Sequence, residues 1–241
     1  MPNSQKKRIN KLNQQIEGLR SRDAPTLAWT ARKPATGKQL YIFSGSFNPI
    51  STAHIELINT ALQSIDGADV LLLLAMANVD KEVFGLSLAE RLLTLEHYVA
   101  TQKTWSVAAC SHGRFIDKLM AIKKTAHDYD SFTFIVGYDT LIRIFEPRYY
   151  QDFSRELDEL FSQCRFIAAT RQDYDLDAMQ TFMSSDAVMP YAPKVDLIAL
   201  PAEYLEVSST NIRMRLANRQ NVTGLIPQTV HDLVIELTSS D

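Results

Sequence analysis

Cysteine is almost missing from the sequence: only Cys110 and Cys164 occur, each in an apolar run. No Cys-x-x-Cys or Cys/His cluster exists that could build a zinc site, and the scarcity fits a reducing compartment. A charge excess is missing too. The 25 Lys and Arg residues meet 28 Asp and Glu, and the formal net charge of -3 offers no global footprint for nucleic acid. A dedicated DNA binder is therefore excluded. Long hydrophobic runs are also absent, since Val70–Ala77 and Phe166–Ala169 fall well short of the ~18 residues of a membrane span. The N-terminus lacks the apolar core of a signal peptide, so the expectation is a soluble protein of the cytoplasm or nucleus with no membrane span. No repeat or low-complexity tract appears. With 46% hydrophobic residues over 241 positions, the chain can bury a substantial core as one large domain or two small ones, which excludes disorder as its main state.

Residues 1–24 carry Lys6, Lys7, Arg8, Lys11, Arg20 and Arg22 against Glu17 among the acids up to residue 22, with Ile9, Leu12, Ile16 and Leu19 at helical spacing. This is a basic amphipathic helix whose stripe is expected to pack on the main domain. A membrane-surface or partner-binding arm is the other reading. Residues 25–38, with Pro25, Pro34 and Gly37, read as a linker. From residue 39 to residue 241, short apolar runs alternate with helical periodicity. Strands are expected at Gln39–Phe43, Asp69–Met76, Trp105–Ala109, Phe132–Val136, Arg165–Thr170 and Val195–Leu200. Helices are expected at His54–Ser64, Ser87–Thr101, Phe115–Thr125, Asp152–Ser162, Ser209–Asn218 and Pro227–Leu237. The order predicts an α/β fold with a doubly wound parallel sheet, whose ligands bind beyond the carboxyl ends of the strands.

The first strand runs into Ser44-Gly45-Ser46-Phe47-Asn48-Pro49-Ile50-Ser51-Thr52-Ala53-His54, a turn followed by a helix start. Gly45 permits close backbone approach to a phosphate, and the helix start offers amides and a positive dipole end to an anion. His54, in the first turn, can donate to phosphate oxygen. Far downstream lies Val207-Ser208-Ser209-Thr210-Asn211-Ile212-Arg213, again at a helix start. An N-cap accounts for one hydroxyl but not for Ser208, Ser209, Thr210 and Arg213 together, which suit a polyphosphate clamp. Gly137-Tyr138-Asp139 ends another strand, where the Asp139 carboxylate can accept from a ribose or cap a helix.

Together these strings resemble the two signatures of the HIGH-type nucleotidyltransferases. The Gly-Ser-Phe-Asn-Pro form is similar to that of the nicotinamide mononucleotide adenylyltransferase family, in a divergent fungal-type branch. Ser51 stands where that family has Thr or His, and Val207 replaces an Ile. The resemblance implies a Rossmann-like fold over residues 39–238 and transfer of AMP from ATP to nicotinamide mononucleotide, giving NAD and pyrophosphate. It implies catalytic roles for His54, Arg213 and Lys81. It implies ATP contacts from Gly45, Ser46, Phe47, Ser51, His54, Gly137, Asp139, Ser208, Ser209, Thr210 and Arg213. Trp105, Tyr150 and Arg171 would contact the second substrate, with Tyr150 and Trp105 stacking on the pyridinium ring. Ordinary packing explains Tyr150 equally well on residue type alone. Magnesium is expected to arrive on the ATP phosphates, with no protein metal site. A homo-oligomeric state stays open. Two alternatives also stand: another adenylyl- or cytidylyltransferase of the superfamily, such as the phosphopantetheine enzyme, or a nucleotide-binding adaptor of protein quality control with weak ATP hydrolysis.

Overall fold

A computed structural model describes residues 1–63, 65, 67–76, 85–169 and 176–239 of the chain. Its centre is set by the longest apolar run: β3 (Asp69–Ala75) is buried at every position, as a strand covered on both faces must be. On one side of β3 lies β2 (Gln39–Gly45), followed outward by β5 (Ser131–Gly137), β6 (Arg165–Ala169) and β7 (Val195–Ile198), all parallel. On the other side lies β4 (Trp105–Cys110), also parallel, and then β1 (Leu27–Ala31), antiparallel at the edge.

Alternation along the strands divides the apolar residues between two cores. Tyr41, Phe43, Val70, Leu72 and Leu74 face one core, which also takes buried residues from α2 (Thr52–Ala61), α3 (Leu88–Val99), α8 (Ser209–Ala217) and α9 (Gln228–Thr238). Leu40, Ile42, Leu71 and Leu73 face the other, with α4 (Phe115–Lys123), α5 (Tyr138–Ile144), α6 (Phe153–Gln163) and α7 (Leu176–Met183). The first helix, α1 (Asn3–Arg20), lays Leu12, Ile16 and Leu19 into the first core and pairs Arg8 with Glu96 of α3.

One expectation is corrected. Residues 25–38 are not a linker, because Leu27–Ala31 pairs with the free edge of β4, from Leu27 opposite Cys110 to Ala31 opposite Val107. Further along, the amides of Thr36 and Gly37 donate to the Asp69 carboxylate at 2.8 and 3.0 Å. Two short helices, α5 and α7, also fall where no helix is expected. Among the described residues, no helix is long and apolar enough to cross a membrane.

The strand order has a functional consequence. From β2 the chain steps outward through β3 to β4, then returns to the other side of β2 with β5 and continues to β6 and β7. The winding direction therefore reverses between β2 and β5, and a crevice opens beyond their carboxyl ends. Those ends are Gly45 and Gly137.

Candidate active site

The loop leaving β2 folds back on its own aromatic residue. Phe47 has φ +44° and a fully buried ring, packed 5.7 Å from Phe43 and 5.5 Å from the His54 imidazole between centroids. This left-handed residue is held by burial, and its side chain serves as the anchor of the loop. A Cβ on Gly45 would stand 3.3 Å from the Phe47 ring, so the glycine makes room for that anchor.

At the start of α2, Ser51 and His54 form a reciprocal cap. The Ser51 hydroxyl accepts from the His54 amide at 3.3 Å, and the Ser51 amide donates to His54 Nδ1 at 3.0 Å. A backbone N–H pointing at Nδ1 requires a lone pair there, so the geometry assigns the ring proton to Nε2. Ser51, the departure from the family pattern, thus orients the histidine and fixes its tautomer.

The second signature meets the first directly. Ser208 caps α8 by accepting from the Asn211 amide at 3.1 Å. The Ser209 hydroxyl donates to the Pro49 carbonyl at 2.8 Å, and Arg213 Nη1 donates to the Asn48 carbonyl at 2.8 Å. Thr210 accepts from Arg213 Nη2 at 3.2 Å. Burial pulls the Arg213 pKa below its ordinary value.

Three residues complete the junction: Asn48 of the first signature, and Gly85 and Arg91, to which the sequence reading gave no role. The Asn48 side chain accepts from the Leu86 amide at 2.9 Å in a buried position. Gly85, at φ +127°, lies so close beneath that a Cβ there would be 2.5 Å from Asn48 Oδ1 and 2.7 Å from Arg213 Cδ. Arg91 of α3 donates to the Leu86 carbonyl at 2.7 Å and to the Ser46 carbonyl at 3.4 Å. Its pKa is pulled down to about 10 by burial and by the neighbouring Arg213 charge. A signal for Arg91 exists in the sequence: it shares a helical stripe with Leu88, Leu92 and Leu95, where a charge is out of place.

Across the crevice, Gly137 ends β5 and Asp139 lies in the first turn of α5, where Arg143 Nη2 approaches its carboxylate at 3.5 Å. A Cβ on Gly137 would be 2.9 Å from Asp139 Oδ1. Tyr150 follows a short helical turn at Pro147–Tyr149, donates its hydroxyl to the Ile144 carbonyl at 2.5 Å, and meets Phe153 edge-on at 5.4 Å. Burial pushes its phenol pKa upward. The adjoining amides of Gln151 and Asp152 bind Glu156, which takes Arg114 at 2.6 Å. Arg114 starts α4 just beyond the carboxyl end of β4, so the Tyr150 loop stands at the same end of the sheet as the two signatures.

Trp105 does not. It is the first residue of β4, paired with Val70, and packs 5.8 Å from Tyr98. Five strand steps of ~3.3 Å put it roughly 16 Å from the carboxyl end where ligands bind. The expectation of a stacking role for Trp105 is therefore corrected: the strand direction turns it to the opposite edge. Lys81 and Arg171 lie outside the described residues. Among the described residues, no group of three or more His, Cys, Asp and Glu side chains is arranged to hold a metal ion.

Two helix starts joined over the switch point of such a sheet define a nucleotidyltransferase of Rossmann-like fold. The chain belongs to the cytidylyltransferase-like family, which residues 42–215 match. A Schizosaccharomyces pombe relative named "Putative nicotinamide mononucleotide adenylyltransferase" is 29% identical over 84% of this chain and 86% of its own length. A Fusobacterium nucleatum relative named "Probable nicotinate-nucleotide adenylyltransferase" is 22% identical over 81% of this chain and 96% of its own. Among solved structures, Plasmodium falciparum nicotinic acid mononucleotide adenylyltransferase complexed with NaAD shares the fold, with a TM-score of 0.59 and 19% identity over 83% of this chain and 94% of that one.

Proposed function

We propose that this protein is a pyridine-nucleotide adenylyltransferase that transfers AMP from ATP to nicotinamide mononucleotide, forming NAD and pyrophosphate. The observation that carries the reading is the direct bonding of the two phosphate signatures, Ser209 to Pro49 and Arg213 to Asn48, over the β2/β5 crevice. Two helix N-termini, one imidazole and one guanidinium drawn from these two signatures support the reading of a polyphosphate site.

In this mechanism, an oxygen of the mononucleotide 5′-phosphate attacks the α-phosphorus of ATP, the α–β bridging bond breaks, and pyrophosphate leaves with its electron pair. No covalent intermediate with the protein is needed. Catalysis consists of alignment and of charge neutralisation at the α-phosphate and leaving group. His54, with its proton on Nε2, donates to the reacting phosphate. Arg213 and the start of α8 hold the β- and γ-phosphates. Gly137 and Asp139 border the nucleoside, and Tyr150 supplies an aromatic face for the cationic pyridinium. Magnesium enters on ATP, held by phosphate and water.

The test is to incubate the protein with MgATP and, separately, nicotinamide mononucleotide or nicotinic acid mononucleotide, and to identify products by mass spectrometry. NAD formed faster than nicotinic acid adenine dinucleotide supports the reading. The reverse preference would move the substrate to the nicotinate form. Binding of ATP without turnover of either would overturn the enzyme reading.

A further inference from the structure

Arg91 is only 4% exposed, yet among the described residues its hydrogen-bond partners include no carboxylate. Its guanidinium spends Nε on Leu86 and Nη1 on Ser46, both neutral carbonyls, while Nη2 makes no hydrogen bond among the described residues. The adjacent acid, Glu90, is committed to the cap at Ser87, bonding its amide and hydroxyl at 2.7 Å. Closest in electrostatic effect is another cation, Arg213, whose charge opposes that of Arg91. Glu90 offsets part of this effect, but a buried charge hydrogen-bonded only to neutral carbonyls among the described residues, beside a second like charge, is costly in the free protein.

We propose that Arg91 is a positioning residue of the polyphosphate site. Resting on the adenylyltransferase reading, the proposal adds that Arg91 fixes the Ser46 carbonyl, and hence the β2–α2 loop, while its charge joins that of Arg213 to select a multiply charged phosphate chain. The two roles use different parts of one side chain: Nε and Nη1 bond the loops that flank the site, and the net charge lies close to that of Arg213, the two being linked through Leu86 and Asn48.

The test compares wild type, Arg91→Lys and Arg91→Gln by calorimetric titration with inorganic tripolyphosphate and with MgATP, at several salt concentrations. Arg91→Gln should weaken tripolyphosphate by about tenfold or more, the scale of one charge-assisted contact. Its affinity should also depend less on salt than that of wild type. Arg91→Lys should recover most of the affinity and the full salt dependence, but with kcat lowered because a lysine cannot hold both carbonyls. A merely structural arginine would lower stability without changing the salt dependence. Wild-type affinity in a folded Arg91→Gln overturns the proposal, whereas a wild type that binds neither probe overturns the adenylyltransferase reading instead. Should Arg91→Gln fail to fold, the side-chain Nε–H resonance that disappears in Arg91→Lys must shift when wild type is titrated with tripolyphosphate, and an unmoved resonance refutes the inference.

Discussion

His54 does two jobs that a single substitution can separate. Its Nδ1 accepts from the Ser51 amide at 3.0 Å, closing a capping box, and the same bond leaves the proton on Nε2 for a phosphate oxygen. Glutamine at this third helical position can also close the box, since its side-chain carbonyl accepts from the same amide. His54→Gln therefore keeps the cap but removes the imidazole donor. It loses the ring contacts at 5.6 Å to Phe43 and 5.5 Å to Phe47. Each such contact is worth about 0.5–1.5 kcal/mol, so a stability loss of about 1–3 kcal/mol is expected. His54→Ala loses the cap as well, at about 1 kcal/mol more. Turnover behaves differently: one preorganised donor aimed at developing charge is worth about 10²–10³ in kcat. Both variants should fall by that factor, with ATP affinity much less changed. Urea denaturation gives the stabilities, and dinucleotide formation gives kcat and KM. A folded His54→Gln turning over within threefold of wild type would refute the catalytic role, and equal stability losses for Gln and Ala would refute the role of the cap.

Gly85→Ala should cost about 2–4 kcal/mol, from positive-φ strain and from displacing the buried Asn48–Leu86 bond, because its Cβ would stand 2.5 Å from Asn48 Oδ1 and 2.7 Å from Arg213 Cδ. It should also raise KM for ATP; a loss below about 0.5 kcal/mol with normal kinetics would contradict the close packing of this junction. Tyr150→Ala should weaken the mononucleotide by about 1–2 kcal/mol and spare ATP, whereas Tyr150→Phe should lose about 1 kcal/mol of stability with its bond to Ile144 while retaining mononucleotide affinity. Parallel loss of both substrates in Tyr150→Ala would assign the ring to packing alone. Lys118, 2% exposed over the Phe115 ring and flanked by Cys110, Asp117 and Arg143, has its pKa lowered by burial from 10.5 to about 8. The folded state binds this proton less tightly than the unfolded state, so the group contributes stability that rises between about pH 8 and 10.5. Lys118→Met should therefore be more stable than wild type at pH 7, with the difference shrinking across that window; a difference that stays constant with pH would deny the shift.

The elements that carry the site were legible because their signals are local. Val70–Leu74 reads as a buried strand because sheets covered on both faces leave no polar alternation, and the helix starts show in the turn before His54 and in the serines before Ile212, although the cap that Ser51 forms did not. What escaped depends on partners distant in sequence. Leu27–Ala31 is too short and weakly patterned to declare a strand, and becomes one only because β4 offers a free edge. Gly85 and Arg91 carry no motif of their own, and the part that Asn48 plays within its signature shows only beside them. Trp105 shows a different limit: matching by order along the chain found an aromatic residue, but the direction of β4 decides which of its ends reaches the ligand.

The same geometry would let the signatures stay bonded together and still bind substrate in the proposed reaction. Among the described residues Arg213 donates once to Asn48 and once to Thr210, and a guanidinium carries five N–H groups, so these two bonds leave three that the proposed reaction would turn to phosphate oxygen. Ser209 gives its hydroxyl to Pro49, but its backbone amide belongs to the first turn of α8, where N–H groups point out of the helix. The contacts that join the two signatures therefore draw on side-chain donors, while in the proposed reaction main-chain amides and the outer fork of Arg213 would serve the ligand. A lysine at position 213 has only three donors at a single nitrogen and must choose between the Asn48 carbonyl and the phosphate. The requirement for arginine follows from that double duty as well as from charge.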